Sequence, residues 1–135
     1  MENCIFCKII RKEIPSKILY EDETVIAFLD ISPAFDGHTL VIPKKHYENI
    51  FETPEKELEK INTTCKEIAL MLKQKLGAQA VNILNSSGKP AGQEVFHIHY
   101  HVIPRREGDG LNLSFKNESK KSDLEEVYKK LISKS

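Results

Sequence analysis

His97-Ile98-His99-Tyr100-His101-Val102-Ile103 is the stretch that decides how this chain folds. Three of its five histidines stand here at every second position. A β-strand sends alternate side chains to opposite faces, so this spacing sets the three imidazoles on one side. Ile98, Tyr100 and Val102 then point the other way, as the packed face of a strand should. On a helix the same histidines would spread around the axis and could not converge. Aligned imidazoles can attack phosphorus, donate hydrogen bonds to phosphoryl oxygens or bind metal. An exposed strand with chance histidines is the plainer alternative, and the strict alternation weighs against it.

Working outward, Ser86-Ser87-Gly88-Lys89-Pro90-Ala91-Gly92 reads as a flexible loop, and Ala80–Leu84 before it as a strand. Leu58, Ile61, Cys65, Ile68, Leu72 and Leu76 recur at steps of three and four, the stripe of one long amphipathic helix. Thr53-Pro54-Glu55 offers that helix an N-cap, a proline at the first helical position and an early acid. Further upstream, Thr39-Leu40-Val41-Ile42 is a buried strand ended by Pro43. Ile18–Asp22 and Thr24–Ile31 alternate well enough for two more, and Cys4–Lys12 is a short helix. Downstream, Arg105–Lys121 is a polar surface segment. Leu124, Val127, Tyr128, Leu131 and Ile132 suggest a C-terminal helix capped by Ser122 or Asp123. Strands interrupted by one long helix predict an antiparallel α+β domain.

The 135 residues fit a single domain, 1–135, whose last part from about 106 is polar loop plus helix. Twenty basic residues balance twenty acidic ones, so no global field points to nucleic acid or an anionic membrane. No stretch approaches the roughly 20 apolar residues that span a bilayer. Met1-Glu2-Asn3-Cys4 lacks the basic-then-apolar order of a signal peptide. The expectation is a cytoplasmic protein, with a nuclear location open if the source is eukaryotic. Three cysteines in a reducing compartment argue against a disulfide framework, and Cys65 reads as a small core residue.

The histidine stretch resembles the motif of the histidine triad (HIT) family of nucleotidyl hydrolases and transferases. Cys4-Ile5-Phe6-Cys7-Lys8-Ile9-Ile10, Ala27-Phe28-Leu29-Asp30-Ile31, Gly37-His38-Thr39-Leu40-Val41-Ile42-Pro43-Lys44 and Ala91-Gly92-Gln93 stand where that family has similar runs. The likeness is greatest to its Hint branch. His101 argues against the galactose-1-phosphate uridylyltransferase branch, which replaces the third histidine. The resemblance implies a HIT-like fold, a five-stranded antiparallel sheet with one long helix, paired into a homodimer. It implies that His99 is the nucleophile toward the α-phosphorus of a purine nucleotide derivative, with His101 and His38 as flanking donors. It places Asp30 and Ile31 near the ribose, and Ile31 and Leu40 against the base. Phe6, Ile9 and Phe28 complete an apolar slot, for which ordinary core is the rival reading. Asn85, Gly92 and Gln93 approach the phosphate. One departure concerns the leaving group. Where the Hint branch carries a serine or threonine, this chain has Glu94, and a carboxylate there repels phosphate unless protonated or turned away. It either serves as an acid or slows turnover.

Cys4-x-x-Cys7 supplies two thiols at the spacing of a tetrahedral zinc site, although two unrelated buried cysteines would look the same. A thioredoxin-like redox pair lacks its βαβ context. His46 and His97 could complete a Cys2His2 set, and some microbial proteins resembling this chain hold zinc at matching positions. Such a zinc would be structural, because four protein ligands leave no position for water. The leading expectation is a hydrolase that releases AMP from nucleoside 5′-phosphoramidates through a covalent nucleotidyl-histidine. The alternatives are a dinucleoside polyphosphate (Ap3A/Ap4A) hydrolase, or a nucleotide-binding interaction protein whose hydrolysis is incidental.

Overall fold

The structure is a computed structural model that describes residues 3–119 and 121–134. Met1 and Glu2, part of the signal-peptide reading, lie outside the described residues, as do Lys120 and Ser135 at the polar segment and the end of the 1–135 domain. The chain runs α1 (Ile5–Ile10), β1 (Ile18–Glu21), β2 (Val25–Leu29), β3 (Thr39–Pro43), α2 (Glu55–Leu76), β4 (Ala80–Asn85), β5 (Tyr100–Arg105) and α3 (Leu124–Ile132).

The uninterrupted apolar runs of β2 and β3 take the middle of a five-stranded antiparallel sheet, ordered β1-β2-β3-β5-β4. Both faces of these strands need cover, and two different layers supply it. Val25, Ala27, Val41 and Val102 pack on the stripe of α2 formed by Ile61, Cys65, Ile68 and Leu72. On the opposite face, Ile26, Phe28, Leu40 and Ile42 meet Phe6 and Ile9 of α1. The short α1 covers only part of its face, and the uncovered remainder becomes the cleft described below.

Several boundaries differ from expectation for local reasons. β1 ends before Asp22, whose Oδ1 accepts the backbone N–H of Thr24 and of Val25 and so closes the turn. Thr53 does not cap α2. Its hydroxyl donates to the carbonyl of Asn49 at 2.7 Å, and the helix begins at Glu55 with Pro54 in the cap position. Leu76 belongs to the periodic stripe but, as the last residue of α2, is 47% exposed. Lys89–Ala91 forms a 3-10 turn inside the loop read as flexible. α3 follows Asp123, whose side chain makes no capping bond, and none of its residues is buried.

The histidine stretch itself is only half strand. β5 starts at Tyr100, so His97, Ile98 and His99 form an extended lead-in, tethered by the Ile98 N–H to the carbonyl of Tyr47 at 2.7 Å. The alternation survives there. His97 and His99 both set their rings edge-on to Phe6, with centroids at 5.9 and 5.1 Å, while Tyr100 and Val102 pack toward α2. Among the described residues, no helix is long and apolar enough to cross a membrane.

Candidate active site and metal cluster

The ladder pairs Leu40 with His101, and β3 begins one residue after His38. His38 and Leu40 therefore share the sheet face that carries His101. The hydrogen bonds then assign the tautomer of each ring. The Ala34 N–H donates to His38 Nδ1 at 2.9 Å, so the His38 proton sits on Nε2. That nitrogen lies 2.9 Å from His101 Nδ1 and donates to it, which leaves the His101 proton on Nε2. His99 Nδ1 is 2.8 Å from the carbonyl of His97 and must donate, so His99 Nε2 keeps its lone pair. The rings of His99 and His101 stand 5.2 Å apart. The arrangement presents one nucleophilic nitrogen beside one N–H donor, the pair that attack on a phosphoryl centre requires.

Burial favours the neutral form of all three rings. It lowers His38 and His99 below the ordinary histidine value. Burial, helped by the neighbouring His99 and His38, pushes His101 down to about 4. Asp30 Oδ2 lies 3.5 Å from His38 Nε2, and its Oδ1 accepts the Ser32 N–H at 2.8 Å. Asp30, His38 and His101 also bring possible metal ligands together. Both nitrogens of His38 are already committed to hydrogen bonds, so this group is better read as part of the triad.

These groups line a cleft of about 590 Å³. Its other walls include Phe6, Ile9, Phe28, Asp30, Ile31, Leu40, Gly92 and Glu94. Phe6, Ile9, Phe28 and Leu40 are both core and cleft wall, since one side of each packs in the cluster under α1. Ile31 sits on the lip and is 90% exposed. Glu94 is exposed on the rim.

Two residues expected near phosphate make internal hydrogen bonds in the structure. Asn85 is outside the cleft lining, and its Nδ2 donates to the carbonyl of His99 at 3.1 Å. Gln93 is buried and also outside that lining. Its Oε1 accepts the Gly88 N–H, and its Nε2 donates to the carbonyls of Glu48 and Val95. Asparagine and glutamine announce hydrogen-bonding capacity without naming the partner, so the residue types alone could not separate the two roles. A backbone carbonyl is the expected partner for the second nitrogen of the nucleophile, and His97 supplies it. The groups missed altogether are the Ala34 amide and the carbonyl of Pro43. Backbone atoms carry no signature in a sequence.

Next to the triad, Cys4, Cys7, His46 and His97 place one ligand atom each within 4.8 Å of all the others. His97 Nε2 donates to the carbonyl of Pro43 at 2.9 Å, which turns the lone pair of Nδ1 toward the cluster. Nδ1 of His97 lies 3.5 Å from Cys4 Sγ, 3.6 Å from Cys7 Sγ and 3.2 Å from His46 Nδ1, and Cys7 Sγ is 3.3 Å from His46 Nδ1. Tetrahedral zinc, with its usual bond lengths to sulfur and nitrogen, requires ligand atoms about 3.3–3.8 Å apart. The donor set and its spacing therefore fit zinc. Burial lowers His97 to about 4 and raises the Cys7 thiol.

A sheet with three imidazoles of fixed tautomer at the floor of an apolar cleft defines a histidine triad domain. The HIT domain pattern matches residues 11–108, and the chain belongs to that family. A HIT-like protein of Methanocaldococcus jannaschii is 55% identical over 128 residues, covering 95% of this chain and 98% of its own. The adenosine 5′-monophosphoramidase of Saccharomyces cerevisiae is 41% identical over 133 residues, 97% of this chain and 82% of the yeast protein. Among solved structures, a HIT family protein from Bacillus subtilis gives a TM-score of 0.85 at 42% identity, over 98% of this chain and 99% of that one. A zinc-bound histidine triad family protein from Mycobacterium smegmatis gives 0.80 at 42% identity, over 83% and 81%.

Proposed function

We propose that the chain hydrolyses purine nucleoside 5′-phosphoramidates to the nucleoside monophosphate and an amine. The observation that carries this reading is the bond from His99 Nδ1–H to the carbonyl of His97, which holds Nε2 unprotonated in the cleft. Nε2 attacks the α-phosphorus, the P–N bond breaks, and the amine leaves with a proton. Water then cleaves the nucleotidyl-histidine, its hydroxide joining phosphorus and its proton balancing the one taken by the amine. His101 Nε2–H, set by the relay from His38, donates to a phosphoryl oxygen as charge builds. The base lies between Phe6, Ile9, Phe28 and Leu40, and the Asp30 carboxylate accepts from the ribose. Glu94 on the rim faces the leaving group and suits an amine better than a polyphosphate, which favours this reading over the dinucleoside polyphosphate alternative. The name of the yeast relative, a monophosphoramidase, supports the same reaction class.

Zinc held by Cys4, Cys7, His46 and His97 supplies a cross-link between α1 and the lead-in to β5. The working unit in this reading is a homodimer. The exposed Ile83 on β4, an edge strand, and the exposed Leu124, Leu131 and Ile132 of α3 are the surfaces it would cover. A monomer in sedimentation velocity would remove that part.

The test of the reaction is AMP release from adenosine 5′-phosphoramidate by the native chain and by His99→Ala. The expected result is turnover lost in the variant while AMP binding is retained. Equal turnover in both proteins, or none in either, would reject the mechanism.

A further inference from the structure

We propose that the Cys4/Cys7/His46/His97 cluster orients the His99 imidazole, so that metal occupancy controls the nucleophile from outside the cleft. This rests on the reading of the cluster as a zinc site and of His99 as the attacking group. Two separate connections carry it.

The first runs through one residue. The ring of His97 is fixed at one nitrogen by the carbonyl of Pro43 and offers the other to the cluster. The carbonyl of the same residue accepts the His99 Nδ1 proton at 2.8 Å. The side chain of His97 thus answers to the metal and its backbone to the nucleophile. His97 is fully buried, so the ring cannot swing without displacing its neighbours.

The second runs through α1. Phe6 stands between the ligands Cys4 and Cys7 and sets its ring edge-on to both His97 and His99. Cys4 Sγ also accepts the Cys7 N–H at 3.4 Å, so the first turn of this six-residue helix is built on the cluster. Freeing the thiols frees the ring that presses on His99.

With metal, four bonds of fixed length hold His97 and the start of α1 together. Without it, the same four atoms share weak S–H and N–H bonds that can be exchanged among several arrangements. His97 is therefore a positioning residue. Partners that orient a reactive group in this way cost about 10–100-fold in activity when lost.

The experiment follows the side-chain Nδ1–H signal of His99 by nitrogen-15 NMR, without substrate. It uses the full chain loaded with one equivalent of zinc, the chain after chelation, and His46→Gln. His46 is outside the cleft lining, and among the described residues its ring hydrogen-bonds within the cluster, so this variant weakens metal binding while leaving Phe6 and His97 in place. Backbone amides of Asn82 and Ile103, paired across β4 and β5, report whether the sheet persists. The expected result is a solvent exchange of the His99 Nδ1 proton at least tenfold faster in both metal-depleted forms, with sheet amides unchanged. In parallel, kcat should fall about tenfold while nucleotide affinity falls less.

An exchange rate that does not respond to metal overturns the proposal. So does loss of the sheet amides together with the His99 signal, which would make the cluster a general staple of the fold. A chain that takes up no zinc overturns it as well. Because the resonance is read without substrate, inactivity toward phosphoramidates would reject the proposed reaction and leave this coupling standing.

Discussion

Gly37, immediately before His38, tests how the far face of the sheet holds the triad in place. Its φ is +99°, a region that L side chains occupy at a cost of about 1–2 kcal/mol. A Cβ at this position would also lie 2.7 Å from Leu76 Cδ1 and 2.8 Å from Leu72 Cδ2. Both atoms are tips of flexible side chains on the last turns of α2, so they can give, at an overpacking cost of about 1–3 kcal/mol. Gly37→Ala should therefore lose about 2–5 kcal/mol of stability. Gly92 supplies the control. Its φ is +96°, and a Cβ there meets nothing within 4 Å. Gly92→Ala should lose only the backbone part, about 1–2 kcal/mol. Urea denaturation of the two variants isolates the contact with α2, provided the slope of the unfolding curve is unchanged. For a chain of this length the Gly37→Ala loss corresponds to a fall in Tm of roughly 8–20 °C. The same shift displaces His38, whose Nε2–H hydrogen bond holds His101, so kcat should drop with it. A Gly37→Ala variant no less stable than Gly92→Ala would refute the argument, because the leucine tips would then be yielding at no cost.

Two predictions concern protons. His99 must be neutral to attack, and burial lowers it below its ordinary 6.5, so the acid limb of the kcat/KM profile should lie below pH 6.5. A limb at or above that value would contradict the burial seen at the triad. In metal-free protein, His97 and His101 are lowered to about 4 on folding. A lowered histidine leaves the unfolded chain binding protons first as the pH falls, so stability is full above 6.5 and drains away between 6.5 and 4. The fully buried His97 should account for a loss on the order of 3 kcal/mol, and the partly exposed His101 for less. Urea midpoints that stay constant from pH 7.5 to 4.5 would refute this.

The layers of the fold were legible where one physical demand dominates. Val25–Leu29 and Leu40–Pro43 are apolar without interruption because both faces are covered. The stripe Ile61, Cys65, Ile68 and Leu72 announces α2 by its period alone. Legibility fails where one residue type can satisfy two partners. Thr53 has a capping hydroxyl but spends it on Asn49, and Leu76 keeps the helical period but stands half exposed at the end of α2. The same limit holds at the site. His97, His99 and His101 and the Cys4–Cys7 pair could be read from spacing, whereas His38 and His46 came with the family resemblance, and the structure brings these residues into two adjoining groups. Asn85 and Gln93 were recognised as polar groups of the site region, while their partners, the carbonyls of His99, Glu48 and Val95, depend on how the loop closes.

The departure from regular strand at His97–His99 has a chemical reason. In a paired strand, backbone carbonyls point in the plane of the sheet toward the neighbouring strand. β5 pairs with β4 only from Tyr100 onward, opposite Asn85. The carbonyls of His97 and His99 are thereby released to side chains, one accepting from His99 Nδ1 and the other from Asn85 Nδ2. Extending the ladder two residues upstream would keep all three imidazoles on one face but would commit those carbonyls to another strand. The two-residue period aligns the histidines, and the early end of the ladder gives them separate tasks. His97 is fully buried among the thiols, His99 is 8% exposed at the cleft floor, and His101 is half-buried within the paired strand. In the proposed mechanism, depth along one alternating stretch thus divides a metal ligand from a nucleophile and a nucleophile from a donor, although the three residues are chemically identical.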